Sequence, residues 1–228
     1  MQFKRYAIYY TPPKSPLAEF GASWLGWDLV SGTHVAHPEL SDLTQDIAAL
    51  TETPRKYGLH GTIKPPFRLA GSCEIEGLVS ACEAITTTLA PITLDGLEFS
   101  RLGGFLALTV RGDQAALASL ASEVVRRLDV FRAPPNEAEI ERRRKANLTD
   151  RQEALLVEWG YPYVMDEFRF HITLTGRVPR READALRETL EQHIAPLLPS
   201  PLRIDDLTLV GEDDNGMFHE IQRFPLLG

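Results

Sequence analysis

Two histidines of this chain open the same short pattern. His60-Gly61-Thr62-Ile63 and His171-Ile172-Thr173-Leu174 share histidine, a spacer, threonine and an aliphatic residue. Residues 57–64, stopped by Pro65-Pro66, and residues 167–175, which alternate in polarity, both read as strands. On a strand, residues two apart share a face, roughly 6.5–7 Å from one another. One face therefore carries His60, Thr62 and Lys64 in the first segment, and Arg169, His171 and Thr173 in the second. The opposite face carries Leu59, Gly61 and Ile63, and Phe170, Ile172 and Leu174, and belongs to a core. Proton transfer is the chemistry such a polar face offers. A histidine with a reference pKa near 6.5 can give or take a proton near neutral pH.

The elements that must position these residues recur. The two motifs are offset by 111 residues (60 to 171), and Pro91-Ile92-Thr93-Leu94-Asp95 returns as Pro201-Leu202-Arg203-Ile204-Asp205, offset by 110 (91 to 201). Between these landmarks the order strand, helix, strand pair is the same in both halves. The first half holds an opening strand over 5–11 ended by Pro12-Pro13, a helix over 16–27, a helix over 74–90, and strands over 92–99 and 105–110 joined near Gly103-Gly104. In the second half, Asp113 is placed to cap a helix running to about 130. A charged helical stretch over 132–160 follows, then a helix over 180–195 and strands over 202–210 and 217–224. The expectation is a single two-lobed α+β domain over 1–228, with repeat 1 about 1–112, repeat 2 about 113–228, and 132–160 as a connecting insertion. Trp24 and Trp27 are expected in the core.

The 228 residues are enough for one substantial core or two fused half-cores. The net charge of −8 opposes long nucleic acid, whose partners usually carry a basic stripe, and leaves room for a small anion held by a few placed cations. No apolar run reaches the length of a membrane span, and the first residues lack the apolar core of a signal peptide, so a cytoplasmic location with no membrane partner is expected. Cys73 and Cys82 lack metal-ligand spacing and read as reduced thiols. His34 and His37 read as surface residues, His193 as a helix-end residue, and Arg142 to Lys145 as a solvated helix face rather than an anion clamp.

With one His-x-Thr motif per repeat, the chain resembles the two-histidine (LigT-like) phosphoesterase superfamily, which includes bacterial RNA 2′–5′ ligase-like proteins and cyclic nucleotide phosphodiesterases. The longer stretches Tyr57–Leu69, Trp159–Tyr163 and Glu167–Leu174 resemble a bacterial family associated with phosphonate-utilisation operons. The resemblance implies two antiparallel β-sheets flanked by helices around a central cleft. It implies that His60 and His171 are catalytic, that the hydroxyls of Thr62 and Thr173 bind a phosphate oxygen, and that no metal or other cofactor takes part.

That chemistry is consistent. Opening a phosphodiester needs the nucleophile deprotonated and the leaving oxygen protonated, and two histidines on opposite sides of phosphorus suit this. Lys64 and Arg169, on strand parity, are expected to contact phosphate. The substrate expected is a small phosphorylated molecule with a cyclic diester. RNA 2′–5′ ligation or RNA-end processing, and a non-catalytic phosphometabolite-binding protein, are the alternatives. The residues leave open which histidine is acid and which is base.

Overall fold

The computed structural model describes residues 3–228. In chain order the strands are β1 (Arg5–Tyr10), β2 (Trp27–Asp28), β3 (Thr33–His34), β4 (Gly61–Phe67), β5 (Ile92–Leu94), β6 (Leu97–Leu102), β7 (Phe105–Val110), β8 (His171–Thr173), β9 (Leu202–Ile204), β10 (Asp206–Glu212) and β11 (Phe218–Pro225). The helices are α1 (Pro16–Leu25), α2 (Ile47–Arg55), α3 (Ile75–Thr86), α4 (Ala115–Arg127), α5 (Glu137–Arg144), α6 (Asp150–Trp159) and α7 (Arg180–Ile194).

The fold is α+β. Seven antiparallel strands form one sheet in the order β11-β10-β1-β4-β8-β7-β6. The two expected sheets are present as its two halves, β11-β10-β1-β4 and β8-β7-β6. Among the described residues these halves are joined by one strand pairing, Gly61 with Ile172. Away from the sheet, β5 and β9 clasp one another with Thr93 opposite Arg203. Both pairings unite residues that the sequence offsets equate.

Local sequence explains most boundaries. Ser15 caps α1 by accepting from the Ala18 amide, and Gly26 closes it in the left-handed conformation, φ +78°. That glycine ends the helix before Trp27, which the periodicity includes. Trp27 instead lies in β2, buried, with its indole N–H donating to the Phe218 carbonyl at 2.8 Å. Trp24 is fully buried and donates to the Leu174 carbonyl at 2.8 Å. Helix α4 starts from Gln114 rather than Asp113, which stands one residue earlier and accepts from the Ala115 amide at 2.9 Å. The 132–160 stretch forms α5 and α6, each with a reciprocal capping box, at Asn136/Glu139 and Thr149/Gln152. Helix α2 is not signalled by the sequence: its core-facing residues are few, and its end carries Pro54.

The main core lies on one face of the sheet. It gathers Ile8, Ile63, Leu106, Leu108, Phe170, Ile172 and Leu174 from strands and their flanks, and Leu78, Leu117, Val124, Leu186 and Leu190 from α3, α4 and α7. The apolar sides of both histidine motifs are in this core. The other face of β1 builds a smaller cluster, Ala7 and Tyr9 with Trp27, Val210 and Phe218, against which Tyr57 packs.

Candidate active site

His60 leads into β4 and His171 begins β8. Because Gly61 pairs with Ile172 in antiparallel register, His60 has Thr173 as its cross-strand neighbour and Thr62 has His171. Gly61 is needed at this crossing. A Cβ there would overlap the ring of Phe170, so only glycine lets that ring pack over the strand crossing.

Each imidazole is oriented in the same way. His60 Nδ1 faces the Gly58 carbonyl at 3.0 Å, and His171 Nδ1 faces the Arg169 carbonyl at 2.8 Å. A ring nitrogen facing a carbonyl carries the hydrogen, which leaves Nε2 of both rings as the working atom. Nε2 of His60 accepts from the Thr62 hydroxyl at 3.1 Å.

The surroundings of the two rings differ. His60 stacks on the fully buried Tyr9, with ring centroids 3.9 Å apart, and Tyr57 flanks it at 5.8 Å. Burial lowers its pKa to about 4; the Gly58 carbonyl opposes this, and electrostatic interaction with His171 adds to it. His60 is therefore neutral at ordinary pH. The ring of His171 has Phe105 at 5.9 Å. A cleft of about 490 Å³ opens here, lined by His60, Tyr57, Phe105, Thr173, Thr175 and Arg177 among others, a size that suits a small ligand.

Of the six residues chosen from sequence, His60, His171, Thr62 and Thr173 come together. The other two do not present their charges here. Lys64 is buried, 2 % exposed, with its amine donating to the Val125 carbonyl at 3.2 Å and 3.7 Å from Asp129. A bulge is the cause. Thr62 pairs with Tyr9, yet Lys64 pairs with Ile8, so two residues of β4 face one of β1 and the alternation resets. Lys64 thus turns to the core face beneath α4. Burial lowers its pKa to about 8, against the pull of Asp129.

Arg169 precedes the strand, which is only three residues long rather than spanning 167–175. Its exposed guanidinium folds back on the Asp166 and Phe168 carbonyls. Its backbone carbonyl, not its charge, meets the site. The cation at the cleft is Arg177, exposed on the loop after β8. Sequence reading missed Tyr9, Tyr57, Phe105 and Arg177. Parity along β1 places Arg5, Ala7 and Tyr9 on one face and could have flagged Tyr9, whereas Arg177 carries no local signal. Of the remaining histidines, His193 contacts Asp42 at 3.0 Å and His219 contacts Asp213 at 3.0 Å, both apart from this cleft.

Fold and site together define an α+β protein with paired, backbone-oriented histidines at the junction of two half-sheets. The chain belongs to the family described as "Protein of unknown function (DUF1045)", whose model matches residues 62–219. It is similar to two curated proteins named ribose 1,5-bisphosphate phosphokinase PhnN. The one from Janthinobacterium sp. (strain Marseille) is 39% identical over 98% of this chain and 51% of its own length. That from Laribacter hongkongensis (strain HLHK9) is 30% identical over 93% and 49%. The chain thus spans about half the length of these relatives. Among solved structures, TT0787 of Thermus thermophilus aligns over 98% of both chains with 13% identity and a TM-score of 0.48. E. coli LigT complexed with NADP+ aligns over 100% of both with 12% identity and a TM-score of 0.48. No helix among the described residues is long and apolar enough to cross a membrane.

Proposed function

We propose that this protein is a phosphoesterase that opens a small cyclic phosphodiester without a metal, with His60 as general base and His171 as general acid. One observation carries the reading: two imidazoles, each locked through Nδ1 on the carbonyl two residues back, flank the crossing of β4 and β8 with a threonine hydroxyl across from each.

The chemistry balances. Nε2 of neutral His60 takes a proton from water as the water oxygen bonds to phosphorus. The opposite P–O bond breaks, and His171, which enters the step with protons on both ring nitrogens, gives the Nε2 proton to the departing oxygen. The product is a phosphomonoester, and proton exchange with solvent resets both rings. With substrate bound, the Thr62 hydroxyl turns from His60 Nε2 to a non-bridging oxygen and frees Nε2 for the water, Thr173 donates to another, and Arg177 offsets their growing charge. Burial keeps the His60 ring neutral at pH 7, and so free to accept a proton, while making it a weaker base than a solvated imidazole.

Further readings rest on the same proposal. The sequence offsets, with the pairings Gly61–Ile172 and Thr93–Arg203, support a duplicated unit with repeats about 1–112 and 113–228. The resemblance to a phosphonate-operon family, and relatives named for a kinase of ribose 1,5-bisphosphate, favour a phosphorylated sugar as substrate.

The test is hydrolysis in EDTA of 2′,3′-cyclic nucleotides, ribose 1,2-cyclic phosphate and 2′–5′-linked dinucleotides by wild type, His60→Ala and His171→Ala. Turnover of a cyclic member, reduced at least about 10²-fold in each variant, is the expected result. Turnover that survives both substitutions, or that EDTA abolishes, overturns it.

A further inference from the structure

Outside the histidine cleft, five arginines converge on one small pocket: Arg5, Arg68, Arg132, Arg142 and Arg143, with Glu139 the carboxylate in its wall. They arrive from four places in the chain. Arg5 comes from β1, Arg68 from the end of β4, Arg132 from the segment after α4, and Arg142 and Arg143 from α5. In a chain of net charge −8, such a gathering is a local reversal of sign.

Three of the five are held in place by carboxylates. Arg5 pairs with Glu212, Arg68 with Glu139 at 3.1 Å, and Arg132 with Asp129 at 2.6 Å. The Arg143 guanidinium lies 4.4 Å from the Tyr161 ring centroid. Among the described residues, no carboxylate lies within ion-pair distance of Arg142 or Arg143. Guanidinium forks with surplus positive charge are the chemistry that recognises a phosphate dianion. The cavity is about 40 Å³, room for roughly two or three waters or one phosphoryl group.

The pocket is on the same side of the sheet as the histidines. Arg5 and Tyr9 share a face of β1, four residues or about 13 Å apart along the strand, and Tyr9 stacks on His60. Arg5 also contacts Phe218, which packs on Tyr9 and Tyr57. Through Phe218, Arg5 is thus one side chain removed from the tyrosines that flank His60.

We propose that this arginine pocket is a second anion subsite, which holds a terminal phosphomonoester of the same substrate whose diester is opened between His60 and His171. The inference rests on the phosphodiesterase reading for the word "same", and on the pocket alone for the anion. It narrows the substrate class to diesters that also carry a remote phosphate.

The experiment compares ribose 1,2-cyclic phosphate and 2′,3′-cyclic AMP, each with and without a 5-phosphate, on wild type and on the Arg142→Gln/Arg143→Gln double variant. The 5-phosphate is expected to raise kcat/KM of wild type at least about tenfold, mainly through KM, and that ratio is expected to fall to near one in the double variant. A ratio near one in wild type, or an advantage retained in the double variant, overturns the proposal. If no diester is turned over, calorimetry with ribose 5-phosphate separates the two readings. Binding by wild type and by His60→Ala/His171→Ala, lost in the arginine variant, keeps the anion site and rejects the phosphodiesterase; no binding by wild type rejects the anion site.

Discussion

The two histidines differ in their aromatic surroundings, Tyr9 and Tyr57 around His60 and Phe105 beside His171. Tyr9 stacks on His60, and burial is what lowers the His60 pKa to about 4. As a base of that pKa, His60 should place the acid limb of kcat/KM near pH 4, well below the 6.5 of a solvated imidazole. Tyr9→Ala should move that limb upward, and NMR titration of the His60 ring should follow it; a limb unmoved by the substitution would count against the assignment. Stability follows the same sign. The unfolded chain binds the His60 proton from about pH 6.5 downward, while the folded chain binds it only near 4. Stability is thus fully present above 6.5 and is lost as pH falls through that window. Lys64 and Arg177 make a second contrast at this scale. Arg177→Gln should raise KM for the diester several-fold at nearly unchanged melting temperature. Lys64→Met should lower the melting temperature and leave KM where it was, since its amine serves Val125 and Asp129.

At the scale of elements, the site depends on one irregular strand. β4 is regular through the histidine motif and then bulges, which keeps Thr62 on the cleft side and sends Lys64 inward. The crossing with β8 depends on Gly61, where a methyl group would meet the Phe170 ring. Gly61→Ala should destabilise the protein by about 1–3 kcal/mol, the usual range for overpacking a filled site, with kcat lowered as well because His60 and Thr62 are its neighbours. Urea unfolding checks the first part. Stability equal to wild type would show that Phe170 yields easily.

Across the whole molecule, charge is distributed against its average. The chain is acidic, yet five arginines line one pocket and Arg177 stands at the cleft. Local cations in a negative envelope admit a small anion and repel a long one. A tRNA-sized RNA should therefore fail to comigrate with the protein at about 50 mM salt, where a protein making many phosphate contacts binds strongly. Retention that weakens steeply with added salt would instead favour the RNA reading. The two half-sheets, meeting at Gly61–Ile172 and clasped by β5 and β9, place the cleft at their junction.

The residues able to move protons, and the faces they occupy, are legible in local sequence. Strand alternation is a local rule, so it separated His60, Thr62, His171 and Thr173 from Leu59, Ile63, Phe170 and Ile172 without knowledge of the fold. Whatever depends on partners distant in sequence emerged with the packed fold. The bulge that buried Lys64 arises from how β4 registers with β1, and the end of Arg169's usefulness from how little of its segment pairs with β7. Tyr9 reaches His60 from 51 residues away, and the arginine pocket collects side chains from both ends of a span from Arg5 to Arg143. Such contacts leave no period and no spacing in the chain, because closing a long loop depends on the packing of everything between.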